Sequence, residues 1–209
     1  MRICLQLLYT EGWVNLAKIV VPNIVNYCRK HGYNWNIHCF PEPCKFDFGY
    51  EKLKQIKNLF QTGLADVVWS LDCDAIITNY NKKVEDIIDP HFNFYITQGA
   101  NTYNAGSFII KKSKWTYLFI EDLLSKQGKE NMHCEQDALC DYIREYGTKD
   151  ICILPHPSIN SFKYELYPEY PEVKTREEGN WHEGDWVLHL PGVGMDLRQE
   201  ILSNVSIIL

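Results

Sequence analysis

The sequence has no C-x-x-C pair, no long apolar run, no excess of positive charge and no internal repeat. Each absence excludes a class of protein. The eight cysteines (Cys4, Cys28, Cys39, Cys44, Cys73, Cys134, Cys140 and Cys152) never fall at the paired spacing of a zinc site or a redox motif. Several sit in apolar runs, as buried free thiols do, so reduced cysteines are expected rather than a secreted disulfide framework. No stretch approaches the ~20 apolar residues of a membrane-crossing helix. The N-terminus shows no basic, apolar and small-residue succession, and Ile3 to Tyr9 is too short for a signal core. Lys and Arg number 21 against 27 Asp and Glu, a net charge of −6, which argues against a nucleic-acid binder. A soluble cytoplasmic chain is expected, and in that compartment the Asn204-Val205-Ser206 sequon carries little weight.

What is present suits one folded domain, taken as residues 1–209. Of these residues 45% are apolar and 23% charged, an ordinary globular balance. A chain of this size exposes roughly 10,000 Å² folded against about 35,000 Å² unfolded, enough burial to need no metal or disulfide staple. The last stretch, Ile201 to Leu209, ends on an apolar run. It is read as a terminal helix or strand, or as the edge at which a longer protein continues.

Strands and helices alternate. Ile3–Tyr9 reads as a buried strand, and Trp13–His31 as a helix closed by Gly32, with Pro22 expected to kink or break it. Asn34–Phe40 alternates as a second strand, Pro41–Phe48 is a loop, and Tyr50–Thr62 is an amphipathic helix. Ala65–Leu71 is a short strand ending at Asp72-Cys73-Asp74. A short helix near Val84–Ile88 and strands at Asn93–Gln98 and Gly106–Ile110 follow. Ser113 caps a helix to Lys126, a second helix covers Glu135–Tyr146, and Ile151–Leu154 and Asp185–Leu190 close the set of strands. Pro155–Asp185 carries four prolines and reads as a long functional loop. The implied architecture is α/β: an open, mostly parallel sheet with helices on both faces, binding ligands at the carboxyl ends of its strands.

The chemistry concentrates after those strand ends. Asp72 and Asp74, one residue apart, share a face in an extended chain and can converge on one cation; the bland reading is a solvated turn. His189, near the end of the last strand, is a ligand that a borderline metal such as Mn²⁺ accepts, although strand histidines are more often only hydrogen-bonded. Glu135-Gln136-Asp137 opens a helix, where acidic residues suit the positive end of the dipole. Asn104-Ala105-Gly106-Ser107 precedes a strand, where small residues allow close approach to a ligand or simply make a turn. Cys73 points away from its aspartate neighbours and is expected to be buried and unligated.

Six segments in order carry a resemblance: Tyr27–Tyr33 (YCRKHGY), Tyr50-x-Lys52 with Lys57, Trp69–Asn79 (WSLDCDAIITN), Asn104–Phe108 (NAGSF), Glu135–Leu139 (EQDAL) and Gly184–Gly192 (GDWVLHLPG). Together they resemble the metal-dependent GT-A glycosyltransferases, nearest to the Golgi α-galactosyl-, xylosyl- and mannosyltransferases of fungi and plants. A narrower resemblance is to the N-terminal glycosyltransferase domains encoded by chloroviruses, which would place the chain in a host cytoplasm. Two departures stand out: no membrane anchor is recognisable, and Tyr50 replaces the tryptophan of W-x-K.

The resemblance implies a Rossmann-like GT-A fold and transfer of a hexose from a nucleotide-diphosphate sugar, a UDP-sugar first, to a glycan or glycoprotein, with retention. It implies Mn²⁺, or Mg²⁺, held by Asp72, Asp74 and His189. Donor contacts are implied for Leu8, Tyr9, Thr10, Lys52, Asp72, Cys73, Asn104, Ala105, Gly106 and Gly192, with Tyr9 near the base. Lys57 is left open between a donor contact and a solvated lysine. Gln136 and Asp137 are the implied catalytic pair, Gln136 beside the sugar and Asp137 on its hydroxyls. Trp181-His182 and the long loop are candidates for an acceptor wall or lid. Two rival readings stand beside it. Sugar-1-phosphate nucleotidyltransferases need a Gly-rich loop after the first strand, which Tyr9-Thr10-Glu11-Gly12 does not supply. A sugar-nucleotide-binding module without turnover remains the alternative.

Overall fold

The computed structural model describes residues 1–42, 48–98, 102–155, 157–167 and 179–209. Ile3–Thr10 (β1) is buried almost throughout, and its alternation divides two cores. Ile3, Leu5 and Leu7 enter one core and Cys4 the other, as the two-residue period of a strand requires. Val14–His31 (α1) covers the first face with Leu16, Val20, Ile24 and Tyr27. Gly32 ends it in the left-handed region at φ 71°, its N–H bonded to Cys28 O, and basic Arg29, Lys30 and His31 fill the last turn.

Asn34–Phe40 (β2), Phe48–Gln61 (α2), Val67–Leu71 (β3), Ala75–Ile77 (β4), Phe94–Gln98 (β5) and Tyr103–Lys111 (β6) follow. Lys114–Ser125 (α3), Glu135–Tyr146 (α4), Ile151–Leu154 (β7), Ser161–Phe162 (β8), Val187–His189 (β9) and Met195–Asn204 (α5) complete the order. The central sheet runs β2-β1-β3-β6-β5-β7. β1 is parallel to β2 and β3, and β5 to β7, while β6 runs antiparallel between β3 and β5. Leu53, Ile56 and Phe60 of α2, with Phe119 of α3 and Leu139 of α4, cover the second face. A smaller sheet, β4-β9-β8, stands at the end of β3. Among the described residues no helix is long and apolar enough to cross a membrane.

The expected sheet with helices on both faces is present, with several local differences. α1 continues unbroken through Pro22. Pro22 and Lys18, whose carbonyl loses its amide partner there, both lie on the exposed side of the helix, where water can take that carbonyl. Asn104 to Ser107 lie inside β6 rather than before it, because β6 runs on past its last pair with β3, Ser107 opposite Leu71, and pairs with β5 as far as Tyr103 opposite Gln98. The last strand is shorter than expected and belongs to the small sheet. Where a long loop was expected after Pro155, β8 forms beside β9, and Trp181 is bonded back onto the fold through its N–H to Phe162 O and its Nε1–H to Thr78 Oγ1. The remainder of that loop, residues 168–178, and most of the Pro41–Phe48 loop lie outside the described residues.

Candidate active site

Asp72-Cys73-Asp74 forms a tight turn between β3 and β4. It is not the extended segment read from the sequence. Ala75 N–H closes it on Asp72 O at 3.0 Å, Asp72 N–H is held by Gly106 O at 2.8 Å, and Leu190 N–H donates to Asp74 O at 3.0 Å. These bonds tie the turn to β6 and to the end of β9. The two carboxylates converge because the chain turns, whereas Cys73 is buried between them. Burial, and then the adjacent Asp74 and Asp72 charges, push its thiol up to about 12, so it stays protonated at neutral pH.

β9 pairs with β4 so that His189 stands opposite Ala75. Its Nε2 lies 3.2 Å from Asp74 Oδ1, and both side chains are buried. Arg198, from α5, reaches the other oxygen of the same carboxylate, Nη2 to Asp74 Oδ2 at 2.9 Å. Its Nε–H donates to Leu190 O, and its guanidinium lies 4.8 Å from the centre of the Trp13 ring. Burial alone would raise the Asp74 carboxyl; His189 beside it and Arg198 beyond more than reverse this and hold it below its ordinary value. One ligand atom from each of Asp72, Asp74 and His189 lies within 4.8 Å of the others. Two carboxylates and one imidazole are a donor set suited to a hard or borderline divalent cation.

Lys52, on α2, is buried between three acceptors: Asp72 Oδ1 at 2.7 Å, Glu135 Oε1 at 2.6 Å and Ala105 O at 3.3 Å. Burial would lower its ammonium, but the Asp72 and Glu135 charges more than offset this and raise it above its usual value. All three of its N–H donors are used, so Lys52 meets a donor molecule only by exchanging one of these partners. Gly49 makes room for the ion pair, since a Cβ there would overlap the Glu135 carboxylate.

A cavity of about 370 Å³ opens beside this cluster. The end of β1 (Leu8, Tyr9 and Thr10) forms one wall, the Asp72-Cys73-Asp74 turn with Lys52 and Glu135 another, and Trp13, Phe48 and Gly49 the rest. Asn104 Oδ1 accepts from Gly106 N–H, and Gln136 Oε1 accepts from Ala105 N–H, each at 2.9 Å. The oxygen of Gln136 is thereby turned onto β6. Asp137 Oδ2 accepts from His133 N–H at 3.0 Å, tying the start of α4 to the residue before its N-cap. Gly192 lies in the exposed turn after β9, at φ 72°. Lys57 pairs with Glu121 of α3 and does not line the cavity.

Asn160 Oδ1 faces His189 Nδ1 at 3.1 Å, and with Glu135 and Arg198 it is one of three residues of the cluster that carry no assigned role in the sequence. Glu135 is legible only as an acidic helix start, which is common at any helix. Arg198 and Asn160 carry no sequence signal at all; only the fold brings α5 and the residue before β8 to the turn.

The sequence from 8 to 92 and from 89 to 196 matches the galactosyl transferase GMA12/MNN10 family. A probable alpha-1,6-mannosyltransferase of Saccharomyces cerevisiae is 26% identical over 220 residues, covering 81% of this chain. A probable alpha-1,2-galactosyltransferase of Schizosaccharomyces pombe is 24% identical over 237 residues, covering 91%. The chain spans 56% and 64% of the lengths of these two relatives. Among solved structures, a glycosyltransferase involved in glycosylation of the major capsid of PBCV-1 superposes with a TM-score of 0.73 at 17% identity. That match covers 96% of this chain and 98% of the other. The galactosyltransferase LgtC superposes at 0.55 and 12% identity, covering 99% and 97%. These likenesses establish the glycosyltransferase fold, and the sequence match establishes the family: the chain belongs to the galactosyl transferase GMA12/MNN10 family.

Proposed function

We propose that the protein transfers a hexose from a nucleoside-diphosphate sugar, a UDP-sugar first, to a hydroxyl of a glycan or glycoprotein, with retention at the anomeric carbon. The observation that carries this reading is the convergence of Asp72, Asp74 and buried His189 beside a cavity that the two aspartates line together with the end of β1. Family membership and the solved LgtC complex with donor and acceptor sugar analogues support it.

Asp72, Asp74 and His189 hold a divalent cation, Mn²⁺ or Mg²⁺, and such a cation supplies Lewis-acid stabilisation of the leaving diphosphate. Lys52 sets the position of Asp72, and Arg198 that of Asp74. Half-buried Tyr9, with its buried strand neighbours, offers a wall to the base and ribose. Gln136, anchored through its oxygen, presents its NH₂ group, and Asn104 and Asp137 meet sugar hydroxyls. The bond from the anomeric carbon to the phosphate oxygen breaks as the acceptor oxygen bonds on the same face. The acceptor's proton passes to that leaving oxygen, so no separate side-chain base is needed.

The test is incubation with UDP- and GDP-hexoses and Mn²⁺, with and without simple sugar acceptors. Metal-dependent transfer or slow donor hydrolysis, lost with EDTA and in Asp74→Ala, is expected. Nucleotide binding with no turnover under every condition would leave a sugar-nucleotide-binding module instead.

A further inference from the structure

The backbone amide of Gly106 fixes the polarity of a hydrogen-bond chain that starts partly buried and ends in the core on His189. An N–H can only donate, so the Asn104 atom 2.9 Å from Gly106 N is its oxygen. The Asn160 atom 2.9 Å from that same oxygen must then be a donor, its Nδ2. This leaves Asn160 Oδ1 facing His189 Nδ1 at 3.1 Å. An oxygen there requires the proton on Nδ1. Asn160 and His189 are both essentially without solvent contact, so no water substitutes for either partner.

We infer that Asn160, oriented through Asn104 by the Gly106 amide, is a positioning residue that locks His189 in the Nδ1–H tautomer. When the ring carries a single proton, Nε2 is thereby left unprotonated and available to a cation beside Asp74. The inference rests on the reading of Asp72, Asp74 and His189 as a metal site. It adds a residue outside that cluster, on the segment leading into β8. The competing arrangement is explicit: Asp74 Oδ1, 3.2 Å from Nε2, would itself accept a proton from that nitrogen. In the neutral ring only one nitrogen carries the proton, so Asn160 and Asp74 contest the tautomer. Among the described residues the fixed Asn160 oxygen has no other donor, whereas the Asp74 carboxylate is also served by Arg198, and a cation on Nε2 leaves Nδ1 as the place for the single proton. Partners of this kind on the far nitrogen of a ligand histidine commonly change metal affinity by about 10- to 100-fold.

Long-range ¹H–¹⁵N correlation of the imidazoles in the metal-free protein, followed over a range of alkaline pH, reads the tautomer directly. The wild type is expected to show a protonated Nδ1 and an unprotonated Nε2. Asn160→Leu is expected to move the proton to Nε2 and to weaken Mn²⁺ binding, followed by the EPR signal of free Mn²⁺, at least tenfold. Asn104→Asp, whose carboxylate still accepts from Gly106 and Asn160, is expected to retain Nδ1–H. If Asn160→Leu does not fold, Asn104→Leu, which frees Asn160 to turn over, carries the same expectation. A wild-type ring protonated on Nε2 overturns the inference, as does an unchanged tautomer with Mn²⁺ affinity within twofold in the leucine variant. A wild type with Nδ1–H that binds no Mn²⁺ overturns the metal reading and leaves the tautomer lock standing.

Discussion

The imidazole of His189 packs directly against the α-carbon of Gly106, so closely that an added Cβ would lie 2.9 Å from Nε2 and overlap Cε1. β6 therefore carries glycine at the point where the small sheet leans on the large one. The contact is made by side chain on backbone, and no flexible group stands ready to move aside.

Gly106→Ala is accordingly expected to push the His189 ring off Asp74. Overpacking of this kind costs about 1–3 kcal/mol, read as a lower urea midpoint. Mn²⁺ affinity is expected to fall in the same variant, measured by EPR. A variant with wild-type stability and affinity would mean that the ring is not held where it is seen.

Asp74 and Arg198 form a buried pair, with side chains only 8% and 10% exposed. Asp74→Ala leaves the guanidinium without its carboxylate and is expected to cost about 3–5 kcal/mol in urea unfolding. Adding Arg198→Met to that variant should recover part of the loss, because the uncompensated charge goes with it. A double-mutant cycle with no coupling energy would contradict the pairing.

Glu135→Gln is expected to weaken the hold on Lys52, which then faces one carboxylate in place of two. The loss of a charged hydrogen bond is worth about 1.5–3 kcal/mol, checked by urea unfolding. Turnover should fall as Asp72 relaxes. Gly49→Ala should act in the same direction by displacing the Glu135 carboxylate, and its effect should not add to that of Glu135→Gln.

Asp66 supplies a pH test away from the site. The Arg2 side chain and backbone N–H hold its carboxyl at about 2, below its ordinary 3.8. A depressed folded-state value stabilises the protein at pH above 3.8, and the effect disappears as pH falls towards 2. The urea midpoint of the wild type should therefore exceed that of Arg2→Met by a small constant amount above pH 5. The two curves should merge near pH 2. The pair is solvent-exposed, so the difference should also shrink with added salt.

The fold was largely legible because its signals are local. Ile3–Tyr9 and Ala65–Leu71 read as strands from short, largely apolar runs, and Gly32 and Ser113 mark helix ends by capping chemistry. Where the reading failed, the deciding contacts lay far along the chain. Asp72 and Asp74 do come together, but through a turn between β3 and β4, and β4 exists only because β9 pairs with it. β8 is two residues long and exists only beside β9, so no period could announce it.

By itself the sequence determined the alternating α/β order, the pair of carboxylates after β3, the candidate histidine and the six ordered segments that mark the family. Those are properties of neighbouring residues, set by periodicity, capping and spacing. Only the tertiary structure decided which groups hold these residues in place. Arg198 takes one oxygen of Asp74, Lys52 and Glu135 neutralise one another beside Asp72, and Asn160 turns His189. Each of these is a buried polar partnership between distant segments. Such partners are selected by desolvation and hydrogen-bond satisfaction in the folded core, which leaves no trace in local sequence.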